Sequence, residues 1–195
     1  MSRKSILRRA QFALVFTGTA LLGYCAFAFV DAELFQRRAN QLLEQEVRGA
    51  TARQVLPTPV RTVPPKHSVI GRIEIPRIHL SAIVVEGDDS TSLRLGVGHV
   101  PGTALPGAAG NAALAGHRDT FFRALRRISK DDRITLTTPY GSYRYEVGAI
   151  EVVGPGDTRV LDPTNEPTLT LVTCFPFSYI GAAPERFVVV AHKVG

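Results

Sequence analysis

From Ala10 to Val30 the chain reads AQFALVFTGTALLGYCAFAFV, 21 residues without a charge. As an α-helix rising 1.5 Å per residue, such a run covers the roughly 30 Å of a bilayer's hydrocarbon core. Lipid offers no hydrogen-bond partners to peptide groups, so a single segment crosses it only as a helix. Arg3, Lys4, Arg8 and Arg9 precede the run, and Asp31 and Glu33 follow it. Positive flanks stay on the cytoplasmic side, so residues 1–9 are expected as a cytoplasmic tail, residues 10–30 as the anchor, and the remainder as extracytoplasmic. Ala26, Phe27 and Ala28 have the form of a signal-peptidase site. The apolar run nevertheless exceeds the about 7 to 15 residues of a signal core, and an uncleaved anchor is expected. Cys25 follows Tyr24 instead of a small residue, which argues against lipidation.

This topology accounts for the charge. A formal net charge of +6 invites a nucleic-acid reading, but four of the cations stand before residue 10. From Asp31 onward 19 Lys and Arg face 17 acids, so no nucleic-acid partner is expected. The same topology isolates one thiol. Cys25 lies in the span, which leaves Cys174 as the single cysteine outside, in a compartment where disulfides would form. Free cysteine ordinarily serves as packing material. An unpaired one facing an oxidising compartment is a liability unless it is buried or used.

Residues 31–66 read as a stalk and linker. Ala32 to Gln54 is rich in helix formers with Leu34, Leu42, Leu43 and Val47 interspersed, so it continues the membrane helix. LPTPVRTVPPK then carries Pro57, Pro59, Pro64 and Pro65, which favour a semi-rigid extended spacer. A folded domain follows over residues 67–195, long enough for one core. Its signals are mostly strands: Arg72 to Ile75, Ile78 to Val85, Ala112 to Gly116, Arg133 to Thr138, Ser142 to Val153, Thr168 to Cys174, and Phe187 to Val190. Ser90 or Thr91 can cap one short helical turn through Leu95. Asp119 can cap a helix in which Phe122, Leu125 and Ile128 or Ser129 fall three residues apart. With one helix of any length among so many strands, an antiparallel or mixed barrel is expected over a doubly wound sheet.

The chemistry concentrates in TLTLVTCFPFSYIGAAPERFVVVA, residues 168–191. Along the first run Thr168, Thr170, Val172 and Cys174 share one face of a strand, while Leu169, Leu171 and Thr173 share the other. Pro176, Gly181 and Pro184 break regular structure, and Arg186 opens the next strand. Side by side in a sheet, the two strands turn the Cys174 thiol and the Arg186 guanidinium toward one cleft. Of His67, His79, His99, His117 and His192, position singles out His117: an apolar strand ends at Gly116 and delivers it to an edge. No His and Cys pair has zinc-ligand spacing, and Asp131, Asp132 and Asp157 read as solvated loop acids, not as calcium ligands. No metal or cofactor is expected. Walker, GxSxG and dinucleotide fingerprints are absent from the sequence.

His117 in NAALAGHRDTFF, Cys174 in TLTLVTC and Arg186 in PERFVVVA together resemble the catalytic signature of sortases, the cell-surface cysteine transpeptidases. The likeness extends from GRIEIPRIHL to the last strand, and PGTALPG, AGHRDTFF and CFPFSYIGAAPERF are most similar to class D members. Neither a second span after Val194 nor a lid segment before the domain is evident, so a pilin-polymerising role is not expected. The resemblance implies a mainly β fold, a sortase-like mixed barrel of about eight strands with one or two short helices, preceded by one transmembrane helix. It implies Cys174 as nucleophile, His117 as general acid and base, Arg186 as the group that holds the substrate carbonyl or oxyanion, and Thr173 as a substrate contact. Expected partners are secreted proteins with a C-terminal, LPxTG-like sorting signal and an amine acceptor in the cell envelope. The expected location is a bacterial cytoplasmic membrane, single-pass. A hydrolytic membrane-anchored cysteine peptidase and a non-catalytic envelope binding domain are the alternatives. The sorting motif, the acceptor, general service versus a single dedicated substrate, the oligomeric state and any calcium dependence are left open by the sequence.

Overall fold

Inward-facing apolar residues recur at every second position along the strands, and this period closes the sheet. In the computed structural model, which describes residues 3–52, 64–179 and 181–195, a helix α1 (Arg3–Ala52) is followed by eight strands. These are β1 (Val69–Ile75), β2 (Leu80–Glu86), β3 (Val97–His99), β4 (Asn111–Gly116), β5 (Arg133–Thr138), β6 (Gly141–Val153), β7 (Thr168–Phe175) and β8 (Glu185–Lys193). A short helix α2 (Ser90–Leu95) joins β2 to β3, and single 3₁₀ turns occupy Pro76–Ile78, Arg123–Arg127 and Arg159–Leu161. Around the closed barrel the order is β1, β2, β3, β4, β7, β8, β6, β5, with β5 pairing back onto β1. Parallel contacts at β2–β3 and β4–β7 among antiparallel ones make it the mixed barrel expected.

Ile73 and Ile75, Ala82 and Val84, Ala112 and Leu114, Ile134 and Leu136, Leu169 and Leu171, and Val189 and Ala191 all point inward into one core. Each fully buried Ile or Leu contributes about 1.5–3 kcal/mol relative to an exposed one. On β2 two outward positions are buried as well. Ile83 and Val85 are covered by Ala39 and Leu43, four residues apart on one face of α1. β3 is too short to pair the whole of β2, and Gln36 of α1 fills the gap. Its side-chain oxygen accepts from the Ile83 N–H at 2.8 Å and its amide donates to the Leu95 carbonyl at 2.6 Å. A buried peptide group that would otherwise lack a partner is thereby satisfied. The helical segment read as a stalk therefore lies against the barrel at Gln36, Ala39 and Leu43.

The first part of α1 is the described helix long and apolar enough to cross a membrane, and Phe12, Phe16, Leu22 and Phe29 stand exposed along it. Most of the proline-rich spacer expected over residues 56–66 lies outside the described residues.

Two local expectations are corrected. The cap of α2 is Asp89, whose carboxylate accepts from the Thr91 and Ser92 N–H groups; Ser90 already lies within the helix. Burial pushes the Asp89 carboxyl up, but hydrogen bonds from Lys66, Ser92, Thr91 and His67 outweigh it and hold the group below the usual carboxylate range. The segment after His117 is a 3₁₀ turn without an Asp119 cap, because the His117 carbonyl itself accepts from the Thr120 and Phe122 N–H groups. Its buried residues Phe122, Leu125 and Ile128 are spaced by three, the period of a 3₁₀ helix.

Candidate active site

Three neighbouring strands end on the same side of the barrel, and their register assembles the site. β4 and β7 run parallel with Gly116 opposite Thr173, so one further step sets His117 beside Cys174. β7 and β8 run antiparallel with Cys174 directly opposite Arg186, which puts both side chains on one face of the sheet. Cys174 is therefore central, flanked by His117 and Arg186 at strand spacings of about 4.8 Å each. Leu169 and Leu171 point into the core, so the alternation of β7 turns Thr173 inward and Cys174 outward.

Each member is held differently. Thr173 is buried, and its hydroxyl donates to the Gly116 carbonyl at 2.7 Å, pinning the end of β4 just before His117. A side chain at position 116 would collide with the Phe122 ring, 2.7 Å from where its Cβ would stand, so only glycine lets that ring plug the barrel beneath His117. The His117 ring is exposed and makes no side-chain hydrogen bond among the described residues. It can therefore turn between partners. Arg186 donates to the carbonyls of Ala183 at 3.3 Å and Glu185 at 3.0 Å, and no carboxylate among the described residues pairs with it. Its charge is left for a ligand. On the inner face, Phe175, Phe177 and Phe187 pack with ring centroids 5.2–6.0 Å apart and close the barrel's end under the site. Cys174 is a free thiol, half-buried between these neighbours.

Arg118 was legible in the sequence only as the residue after His117. In the structure its guanidinium donates to the Pro176 carbonyl at 3.1 Å, to Tyr179 at 2.7 Å and to Gly181 at 3.1 Å, and it lies 5.9 Å from the Tyr179 ring centroid. It thus ties the loop after Cys174 to the strand end that carries His117. Contacts 58 to 63 residues away leave no periodic signal, and only the juxtaposition of an arginine with the candidate base could have drawn attention to it.

Two of the loop acids prove to be paired with arginines. Asp132 is buried and takes both oxygens to Arg77, the Oδ2 contact being 2.6 Å, while Oδ2 also accepts from the Ser129 N–H at 2.8 Å. The Arg77 guanidinium holds the Asp132 carboxyl below its usual range, against an opposing push from burial. Asp157 is paired with Arg159 at 2.6 Å and is likewise held low, chiefly by that hydrogen bond. Among the described residues no three of His, Cys, Asp and Glu stand close enough together to share a metal ion. Of the other candidate histidines, His67, His79 and His192 are exposed and His99 is buried. His99 ends β3, with Nδ1 2.8 Å from a Glu86 oxygen and Nε2 2.9 Å from the Ala104 carbonyl.

A free thiol between an imidazole and an unpaired guanidinium, at the rim of an eight-stranded mixed barrel, is the equipment of a cysteine acyl-transfer enzyme. The sortase domain family matches residues 73–194, and the chain belongs to the sortase family, whose members are cysteine transpeptidases. Among relatives, the sortase D of Bacillus subtilis (strain 168) is 30% identical over 93% of this chain and 96% of its own length. Among solved structures, the sortase D5 transpeptidase of Clostridium perfringens superposes with a TM-score of 0.66 at 27% identity, covering 84% of this chain and 98% of its own. The lid mutant of sortase A from Corynebacterium diphtheriae superposes with a TM-score of 0.61 at 31% identity, covering 82% and 95%.

Proposed function

We propose that this chain is a membrane-anchored transpeptidase of the class D kind, which cleaves a C-terminal LPxTG-like sorting signal and passes the acyl group to an envelope amine. The observation that carries the reading is the register that ranks His117, Cys174 and Arg186 across three adjacent strand ends. The Cys174 thiolate attacks the scissile carbonyl carbon; an S–C bond forms, and the carbonyl electron pair moves to oxygen, where the Arg186 fork stabilises it. Collapse breaks the C–N bond as His117 gives its proton to the departing amine, leaving a thioester. The acceptor amine then attacks the thioester, His117 takes the proton from that nitrogen, and the C–S bond breaks to regenerate the thiolate.

Imidazole gains and loses a proton near neutral pH, which both half-reactions require of His117. Arginine remains charged throughout and cannot act as the base. Thr173, turned inward and hydrogen-bonded to the Gly116 carbonyl, serves by fixing the strand end that carries His117. Residues 10–30 anchor the chain with its N-terminus in the cytoplasm, so the barrel meets substrates held at the same membrane.

The test is mass spectrometry of the full chain in detergent, incubated with a library of LPxTx-like peptides, with and without an added amine. The expected result is a thioester adduct absent from Cys174→Ala, and a ligated product that requires the amine. Release of acid alone, unaffected by the amine, would mark a hydrolytic peptidase. No adduct with any peptide, from a folded chain whose thiol alkylates, would overturn the enzymatic reading.

A further inference from the structure

A cleft of about 1040 Å³ lies between α1 and the barrel, lined by His117 but not by the thiol. On the helix side its wall runs from Ala28 to Asn40, about 18 Å at the helical rise. That wall begins inside the uncharged run and continues past the first charged residues, so it crosses from an apolar zone into a polar one.

On the barrel side cations outnumber anions: Arg94, Arg123, Arg126 and Arg127 face one carboxylate, Asp119. The helix side adds the pair Arg37 and Glu33, so five arginines line the whole cleft against two carboxylates. Arg37 is paired with Glu33 at 2.9 Å, and Arg94 with Asp31 at 2.5 Å. Arg127 donates to the Ile78 carbonyl at 2.7 Å, which leaves its charge uncompensated. Arg123 and Arg126 are exposed, and neither forms a salt bridge among the described residues. They stand three residues apart on a 3₁₀ turn, so they present to the same side.

We propose that this cleft is a binding site for the headgroup of an anionic phospholipid of the surrounding membrane. The inference rests on the anchor reading, because that reading sets Ala28 and Phe29 at the boundary between hydrocarbon and headgroups. At that depth the abundant anion is a lipid phosphate, which arginine recognises through paired N–H donors. Acyl chains then lie along the Phe29 end while the phosphate meets Arg123, Arg126 and Arg127. A soluble anion satisfies the arginines but not the apolar wall. Occupancy seats the barrel on the membrane with its His117 edge toward the headgroup layer.

The test uses the full chain in phosphatidylcholine nanodiscs, with and without phosphatidylglycerol, followed by hydrogen exchange of the segments around residues 28–40 and 117–128. In neutral detergent, dihexanoyl phosphatidylglycerol, dihexanoyl phosphatidylcholine and inorganic phosphate are titrated separately. Slower exchange in both segments is expected with phosphatidylglycerol alone. The double variant Arg123→Gln/Arg126→Gln should bind it roughly thirty-fold more weakly, with unchanged thermal stability, while Arg144→Gln on exposed β6 leaves binding as it was. Equal protection by phosphatidylcholine, equal protection by inorganic phosphate, or an unaffected double variant would each overturn the site while the anchor stands. A chain that does not remain in the nanodisc overturns the anchor itself, and the site with it.

Discussion

Two histidines end neighbouring strands of one sheet and are treated in opposite ways. His99, at the end of β3, is buried with both ring nitrogens engaged: Nε2 faces the Ala104 carbonyl, which can only accept, and Nδ1 lies 2.8 Å from a Glu86 oxygen. His117, at the end of β4, is exposed with no side-chain partner among the described residues. The first ring is a rivet and the second a tool. Burial in a satisfied network fixes a proton in place, whereas a proton carrier needs room to exchange partners. The barrel therefore keeps its permanently paired charges in the frame, as at Asp132, and leaves Arg186 and His117 uncommitted at the rim.

The division between frame and rim predicts which variants cost rate and which cost stability. Cys174→Ala should abolish adduct formation without shifting the urea midpoint. His117→Ala should lower single-turnover acylation by about 10² to 10⁴, also at unchanged stability. Equal stability losses at His117 and His99 would break the comparison. His99→Ala leaves the Glu86 carboxylate buried and alone, and should cost about 3–5 kcal/mol in denaturant unfolding while the folded fraction still acylates. Arg186→Lys keeps the charge but loses the planar fork; a fall of about 10² to 10³ in acylation is expected, and near-normal activity would remove Arg186 from the oxyanion role.

Arg118→Ala sharpens the boundary, because Arg118 touches both sides of it. Releasing three carbonyls of the loop after Cys174 should lower acylation by about tenfold and speed hydrogen exchange over residues 176–181, with little change in the midpoint. The smallest effect belongs to the frame. Because the Asp132 carboxyl is held low in the folded state, its contribution is complete above about pH 4, the unfolded value, and is lost as pH falls through the lower folded one. Asp132→Asn should therefore cost about 1–2 kcal/mol at pH 7, and its stability should decline less than the wild type's below pH 4.

Strands with strict alternation were legible in the sequence because a barrel wall needs a period of two; β5 was placed residue for residue, and β7 to within one. β3 was missed because Val97, Gly98 and His99 are too few to show a period. The helix expected after Asp119 became a 3₁₀ turn because Phe122 drops beneath Gly116, a tertiary demand that local propensity does not encode. The residues read as nucleophile, base and cationic partner fall on three neighbouring strand ends, since each stands where an apolar run meets a loop. The Arg118 tether and the seat of α1 on β2 were not legible, being contacts between distant segments.

The Gln36 bridge has a consequence for reach. An enzyme on a loose leash searches a volume set by the length of its leash, and its target can stay still. On the anchor reading proposed above, α1 is bolted to the sheet at Ile83 and to α2 at Leu95, so the candidate rim is carried at a set height and sweeps only as the helix turns. Distance must then be covered from the other side. On the proposed transpeptidase reading, a client protein then has to present its cleavage segment on a tail long and pliant enough to come to the enzyme, and the length of that tail would decide which proteins can be served.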